Sequence, residues 1–212
     1  MEEYHMVSLE EYLSNPCGTL SIPFWKAETI RLPDNMRIIH QSRFFPESFA
    51  EYTDEPYFRL YHDLQAIPKP DLPQIELLPC KRPDDMVSLI NGSYIDLQVD
   101  RRQIESYTKT PVYAPDLWLL ATEKNTGKIV GGGIADYHEE TGELILEWIQ
   151  VLPEYRRKGI GRAIINELLA RKQGAAQFAT VSGKANNPDN PEALYRACGF
   201  TGQDIWHVLR KK

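Results

Sequence analysis

Residues 151–162, Val-Leu-Pro-Glu-Tyr-Arg-Arg-Lys-Gly-Ile-Gly-Arg, set four cations and two glycines between an apolar strand pattern and an amphipathic helix pattern. The chemistry available there is the binding of a large, multiply charged anion. The first turn of a helix leaves backbone N–H groups without partners, and its dipole puts positive potential at that end. Gly159 and Gly161 let the backbone approach a ligand closely. Arg156, Arg157, Lys158 and Arg162 add charge, so a phosphate-bearing ligand fits better than a solvated turn that only caps a helix. A second candidate group is Glu147, a charge in the middle of the apolar run 143–151, where burying a carboxylate needs a reason. Its bland rival is a solvent-facing glutamate on a half-exposed sheet. Glu143 is a weaker candidate, nearer the turn.

The elements that must position these groups follow from periodicity. Residues 75–80 read as a strand, 83–90 and 101–107 as two short helices. The stretches 117–123, 128–136 and 143–151 read as three strands joined by the turns Asn125-Thr-Gly127 and Glu139-Glu-Thr-Gly142, hence an antiparallel meander. In the third, alternation assigns Leu144, Leu146 and Trp148 to one face and Ile145, Glu147, Ile149 and Val151 to the other. Ile160, Ile164, Ile165, Leu168 and Leu169 form one apolar stripe of a helix over 160–172, and Gly174 is a fitting stop. Residues 177–182 are a strand. Asn190-Pro191 fits an N-cap with proline at the first helical position, the helix runs to Cys198, and 204–209 close as a strand.

The first third is less regular. Ser8-Leu-Glu-Glu11 has capping-box spacing and predicts a short helix, and Asn15-Pro-Cys-Gly18 predicts a turn. Tyr57, Phe58, Leu60, Tyr61 and Leu64 stand at helical spacing. Phe44, Phe45, Phe49 and Tyr52 add apolar bulk that must pack on something. The proline-rich stretch 68–73 reads as an extended connector. The expected organisation is an extension over residues 1–72 packed on a core over residues 73–212.

Bulk properties narrow the function classes. Against 24 lysines and arginines stand 30 aspartates and glutamates, a net charge of −6, which argues against a general nucleic-acid binder. The basic loop is a local feature on an acidic chain and suits a small anionic ligand. Three cysteines, Cys17, Cys80 and Cys198, with no Cys-x-x-Cys spacing, point to a reducing compartment, and no metal site is expected from the cysteine and histidine spacings. The acidic start Met1-Glu-Glu-Tyr does not open a signal peptide, and no run approaches the ~18 apolar residues of a membrane span. The expectation is a cytoplasmic protein with neither nucleic-acid nor membrane partners.

The order of elements, with Arg156-Arg-Lys-Gly-Ile-Gly161 after a strand, resembles the acetyl-CoA site of the GNAT superfamily of N-acetyltransferases. Its Arg/Gln-x-x-Gly-x-Gly/Ala loop is matched by Arg156, Gly159 and Gly161. A second match is the stretch 190–200, Asn-Pro-Glu-Ala-Leu-Tyr-Arg-Ala-Cys-Gly-Phe, which resembles the family's late helix with Tyr195 in a Tyr-x-x-x-Gly-Phe arrangement. The resemblance covers about residues 75–211 and leaves residues 1–70 uncovered. It implies an α/β fold, a splayed mixed sheet flanked by helices, with acetyl-CoA as co-substrate. Pantetheine would pair with the backbone of Ile149, Gln150 and Val151, and the pyrophosphate would sit on Arg157, Lys158, Gly159, Ile160, Gly161 and Arg162. Asn190 has two readings, a cofactor contact or an N-cap alone, and Asn187 competes for the contact because the spacing departs from the commonest pattern.

The implied reaction moves the acetyl group to a primary amine by direct attack in a ternary complex. Tyr195 would protonate the departing thiolate, a backbone N–H near Val151 would bind the oxyanion, and Glu147 would be the base, through a water. Tyr195 also reads as a core tyrosine, and Cys198, three residues on with no motif-matched histidine, reads as an inert buried thiol. The acceptor is a small-molecule or peptide amine, and a homodimer is a candidate assembly. The rival readings are a CoA-binding regulatory domain without catalysis and a protein-amine acetyltransferase.

Overall fold

A computed structural model describes residues 7–20, 32–69, 71–95 and 97–212. In chain order the described residues form α1 (Leu9–Ser14), β1 (Met36–His40), β2 (Tyr52–His62), β3 (Ile75–Pro79), α2 (Pro83–Ser93), α3 (Arg101–Tyr107), β4 (Tyr113–Glu123), β5 (Ile129–His138), β6 (Glu143–Val151), α4 (Ile160–Lys172), β7 (Phe178–Lys184), α5 (Pro191–Ala197) and β8 (Thr201–Lys211). The strands make one mixed sheet in the order β1-β8-β2-β7-β6-β5-β4-β3. Only β6 and β7 are parallel. The expected meander is present as β4, β5 and β6.

The sheet separates two cores. On one face α4 and α5 cover Phe58, Leu60, Leu119, Val130, Leu144 and Leu146, with Ile164, Leu168, Tyr195 and Phe200 coming from the helical side. On the other face α2 and α3 bring Met86, Leu89, Ile90 and Ile104 against Trp118, Leu120 and Ile134. Glycines in β5 let α4 lie close: a Cβ on Gly133 would stand 2.7 Å from Cγ2 of Ile164. Contacts this tight belong to cores packed near crystal density.

Two sequence expectations are corrected. Residues 57–64 are not helical. Tyr52–His62 is a strand flanked by β7 and β8, with Phe58 and Leu60 facing the α4 core and Arg59 facing the opposite side. Pro56 sits within it, where a helix interior would lose a hydrogen bond and clash. The second correction concerns β6. Ile134 of β5 pairs with Trp148 and Ala135 with Leu146, so Glu147 is the extra residue of a β-bulge. The bulge reverses the alternation. Leu144, Leu146, Ile149 and Val151 face the α4 core, and Trp148 faces α2.

The sheet runs across residue 72, because β1 and β2 precede that position and lie between or beside strands that follow it. The N-terminal turn elements form as expected: Ser8 Oγ accepts from Glu11 N at 3.1 Å, and Asn15 Oδ1 accepts from Gly18 N at 3.0 Å. They are tied down by a buried network. Tyr12 donates to Glu143 Oε2 at 2.6 Å, and Arg59 Nη2 donates to Glu143 Oε1 and to the Tyr12 hydroxyl, both at 3.1 Å. Glu143 is fully buried, so this carboxylate is a structural partner of Arg59. Of the expected 68–73 connector, Pro70 lies outside the described residues.

Candidate functional site

The site begins where β6 leaves β7. The two pair in parallel only from Glu143↔Phe178 to Leu146↔Val181, after which β7 continues against β2. Antiparallel pairing aims the backbone groups of successive residues to opposite sides of a strand. Leu152 N donates to Val130 O of β5 at 3.0 Å, so Trp148 and Gln150 also turn their amides toward β5. Ile149 and Val151 then face the gap. Their carbonyls are already met there: the Tyr94 hydroxyl donates to Ile149 O at 3.5 Å, and Arg156 Nε donates to Val151 O at 3.2 Å. Their amides point into the gap, where an amide-bearing arm can pair.

At the end of β6 a 3-10 turn, Pro153–Tyr155, carries the chain into the basic loop. Gly159 is the N-cap of α4 with φ +81° and makes no side-chain cap bond. A Cβ at Gly159 would meet only Leu72, at 3.8 Å, so conformation rather than space calls for glycine there. Gly161 answers to space: its Cβ would stand 3.0 Å from Leu194 Cδ2, where α5 crosses α4. Ile160 is buried in the core and anchors the turn. Arg157, Lys158 and Arg162 are exposed, and among the described residues none pairs with a carboxylate. Lys158 lies 4.7 Å over the Tyr155 ring.

Arg156 behaves differently from the other cations. Its guanidinium donates to Ser93 O at 2.7 Å, to Val151 O at 3.2 Å and to Asp189 Oδ2 at 2.8 Å. It therefore ties the end of α2, the end of β6 and the loop before α5 together. The sequence presents Arg156 as a phosphate ligand; its donors are spent on the walls of the cleft.

A cleft of about 1060 Å³ opens beside the gap, lined among others by Tyr94, Glu147, Trp148, Arg156, Asn187 and Asp136. Glu147 reaches it because the bulge takes it out of the alternation. Asn187 lines the cleft, with Oδ1 accepting from Asp189 N at 2.9 Å. Asn190 adopts φ +46° and caps α5 through Oδ1 to Ala193 N at 3.3 Å; it is not part of the lining. Gln150 is also apart from the cleft. Its side chain is buried on the α2 face, with Nε2 against Met86 Sδ at 3.2 Å, because the bulge turns it there with Trp148.

Tyr195 is buried on α5 between Phe58 and Phe200, at ring distances of 6.1 and 5.8 Å. No described residue hydrogen-bonds its hydroxyl. Burial, reinforced by the nearby Tyr94 phenol, holds it well above the ordinary tyrosine range, so it stays protonated at neutral pH. Burial raises Tyr94 in the same way. Cys198 is buried and its thiol is pushed up to about 11 by burial, as an inert thiol should be. Among the described residues no group of three or more His, Cys, Asp or Glu side chains can hold a metal ion. No helix among them is long and apolar enough to cross a membrane.

Sequence reasoning missed Tyr94 and Asp136. Asp136 carried a signal, a single charge inside the apolar run of β5. Tyr94 carried none, since its position depends on where α2 ends against β6.

Comparison with known proteins agrees with this architecture. Residues 115–202 match the family model described as an acetyltransferase (GNAT) domain. The fold is similar to that of a GCN5-related N-acetyltransferase from Sphaerobacter thermophilus, with TM-score 0.70 and 20% identity, covering 83% of this chain and 58% of that one. A GCN5-related N-acetyltransferase from Kribbella flavida gives 0.52 and 14%, covering 84% and 60%. The ribosomal-protein-S18-alanine N-acetyltransferase from Escherichia coli gives 0.51 and 19%, covering 64% and 91%. The chain thus spans about three fifths of the length of the first two. At these identities the likeness is one of fold. No curated protein matches the sequence.

Proposed function

We propose that this protein transfers the acetyl group of acetyl-CoA to a primary amine of a small molecule, within a ternary complex. The observation that carries the reading is the coincidence at one place of an unpaired β6 edge, a glycine-capped helix start with three exposed cations, and a buried neutral tyrosine nearby. Residues 73–212 supply these groups, and β1 and β2 from the preceding stretch complete the sheet. The residues present suit acetyl-CoA: amides at Ile149 and Val151 for an amide-bearing arm, and the amides of Gly159, Ile160 and Gly161 with Arg157, Lys158 and Arg162 for the phosphates. Arg156 holds the walls, and Asn187 stands beside them.

The acceptor arrives as an ammonium and must lose a proton before it has a lone pair. Glu147 takes that proton, directly or through water. The amine nitrogen then forms a bond to the thioester carbonyl carbon while the carbonyl electron pair moves to oxygen, where whichever amide of Ile149 and Val151 the arm leaves unpaired is the donor. The nitrogen gives its second proton to solvent as the C–S bond breaks, and the thiolate takes a proton from the Tyr195 hydroxyl, which is restored from solvent. The net products are the N-acetyl amine, free CoA and one proton. Release of free CoA from acetyl-CoA, followed with a thiol reagent across a panel of amines, tests the reading. Amine-dependent release supports it, and a protein that binds acetyl-CoA yet releases no CoA with any amine refutes it in favour of a regulatory CoA-binding domain.

A further inference from the structure

The stretch between β2 and β3 meets α4 at both of its ends. At the end of the helix, Gln173 Nε2 donates to Leu64 O at 2.9 Å. At its start, Leu72 Cδ2 lies 3.8 Å from where a Cβ on Gly159 would stand. Gly159, Asn166 and Gln173 follow one another at seven-residue steps, which return to nearly the same side of a helix. That side is turned away from the sheet, since Ile164 and Leu168 are the residues that meet Gly133 of β5. Asn166 is nevertheless only 2% exposed, as a chain crossing this side requires. Ile67 packs on the core between the two contacts. From Gly159 to Gln173 the helix rises about 21 Å, and the eight residues from Leu64 to Leu72 reach about 26–29 Å at full extension. This strap has little slack.

Both ends of the strap are fixed. Leu64 takes φ +59° and its N–H donates to His62 Nδ1 at 2.8 Å, so His62 Nε2 carries the ring proton and donates to Cys198 O at 3.1 Å, at the end of α5. Leu72 O accepts from Ile75 N at 2.9 Å, and Gln74 O accepts from Lys124 N at 3.0 Å. Gly159 has no side-chain cap bond to hold its left-handed turn, and a glycine populates many other conformations. Ile160 grips that turn from the core, and Leu72 closes on it from outside.

Resting on the transferase reading for the identity of the anion, we infer that Leu72 is a positioning residue for the co-substrate. By bracing Gly159 it keeps the amides of Gly159, Ile160 and Gly161 converged before the phosphates arrive, and β2 takes part in cofactor binding through the strap. Such preorganisation is read in affinity, because a loop that must first be ordered binds more weakly.

The experiment uses the full chain, acetyl-CoA as probe, and the variants Leu72→Ala, Leu72→Met and Ile67→Ala. Calorimetry reads affinity, initial rates read KM and kcat, and amide exchange at Ala163, whose N–H donates to Gly159 O at 3.0 Å, reads fraying of the helix start. Leu72→Ala should raise Kd and KM for acetyl-CoA about fivefold with kcat within about twofold, the scale of one partly buried apolar contact, and should speed exchange at Ala163. Leu72→Met should restore most of the affinity. Ile67→Ala removes a similar side chain from the same strap, so it should lower the unfolding temperature comparably while Kd stays within about twofold. Equal loss of affinity in Leu72→Ala and Ile67→Ala, or parental affinity in Leu72→Ala, overturns the inference and leaves the transferase reading standing. A parent chain that binds no acetyl-CoA refutes the transferase reading, and Ala163 then decides the brace alone: faster exchange in Leu72→Ala only keeps it, and unchanged exchange overturns it.

Discussion

Arg156 and Arg157 are neighbours of the same type, yet the structure assigns them different physical jobs, and the pair makes a sharp test. Arg156 makes three hydrogen bonds, two of them to backbone carbonyls on α2 and β6. Hydrogen bonds from a charged donor contribute roughly 1.5–3 kcal/mol each when shielded. The side chain is 35% exposed and Asp189 is 66% exposed, so the ion pair with Asp189 adds little. The two carbonyl bonds then set the scale: about 3–6 kcal/mol if fully shielded, reduced to about 2–3 kcal/mol in total for a side chain 35% exposed. For a chain of this size that is a fall in Tm of very roughly 4–12 °C. Arg156→Ala should show this loss in thermal and urea unfolding, and Arg156→Lys should rescue little of it, because one ammonium cannot span three acceptors. Arg157→Ala should leave stability within about 0.5 kcal/mol and weaken CoA in calorimetry by several-fold, with a shallower salt dependence. If Arg156→Ala unfolds at the parent temperature and loses CoA affinity alone, the clamp is wrong and Arg156 is the phosphate ligand that its spacing suggests.

Other expectations follow from the same geometry. Tyr195→Phe should lower kcat on the order of 100-fold or more while CoA affinity by calorimetry changes little. Breaking the buried Arg59–Glu143 pair with Glu143→Gln should cost about 3–5 kcal/mol in urea unfolding, whereas a change at exposed Glu154 should be nearly silent. Burial pushes the thiols of Cys17 and Cys198 up to about 11, so the unfolded chain releases these protons first as pH rises. The folded state then binds more protons than the unfolded one, and stability should fall from about pH 9 to pH 11, by roughly 1.4 kcal/mol per pH unit per thiol. Cys198→Ala should flatten that decline in a pH series of urea midpoints.

Much of this architecture was legible in the sequence because it is local. The helix stripe from Ile160 to Leu169, the Asn190-Pro191 start and the turns between β4, β5 and β6 are set by residues close in the chain. The left-handed turn at Gly159 belongs with them, since no distant group is needed to require it. What failed is what depends on partners. The aromatics at 57–61 fit a helix until β7 and β8 are known to flank them, and only Pro56 spoke for a strand. The bulge at Glu147 exists only in the register of β6 against β5, so alternation put Trp148 on the wrong face. Arg156 looks like its neighbours in sequence, and its task comes from carbonyls on α2 and β6. Asp136 and Tyr94 join the cleft through strand pairing and helix packing that no spacing rule contains.

The central claim is acyl transfer, and the most direct measurement is mass spectrometry of amines incubated with acetyl-CoA and the full chain, beside Tyr195→Phe. The expected result is an N-acetyl amine formed with one equivalent of free CoA, much slower with the variant although it still binds acetyl-CoA. Saturable acetyl-CoA binding with no acetylated amine from either protein, or equal rates from both, would contradict the account.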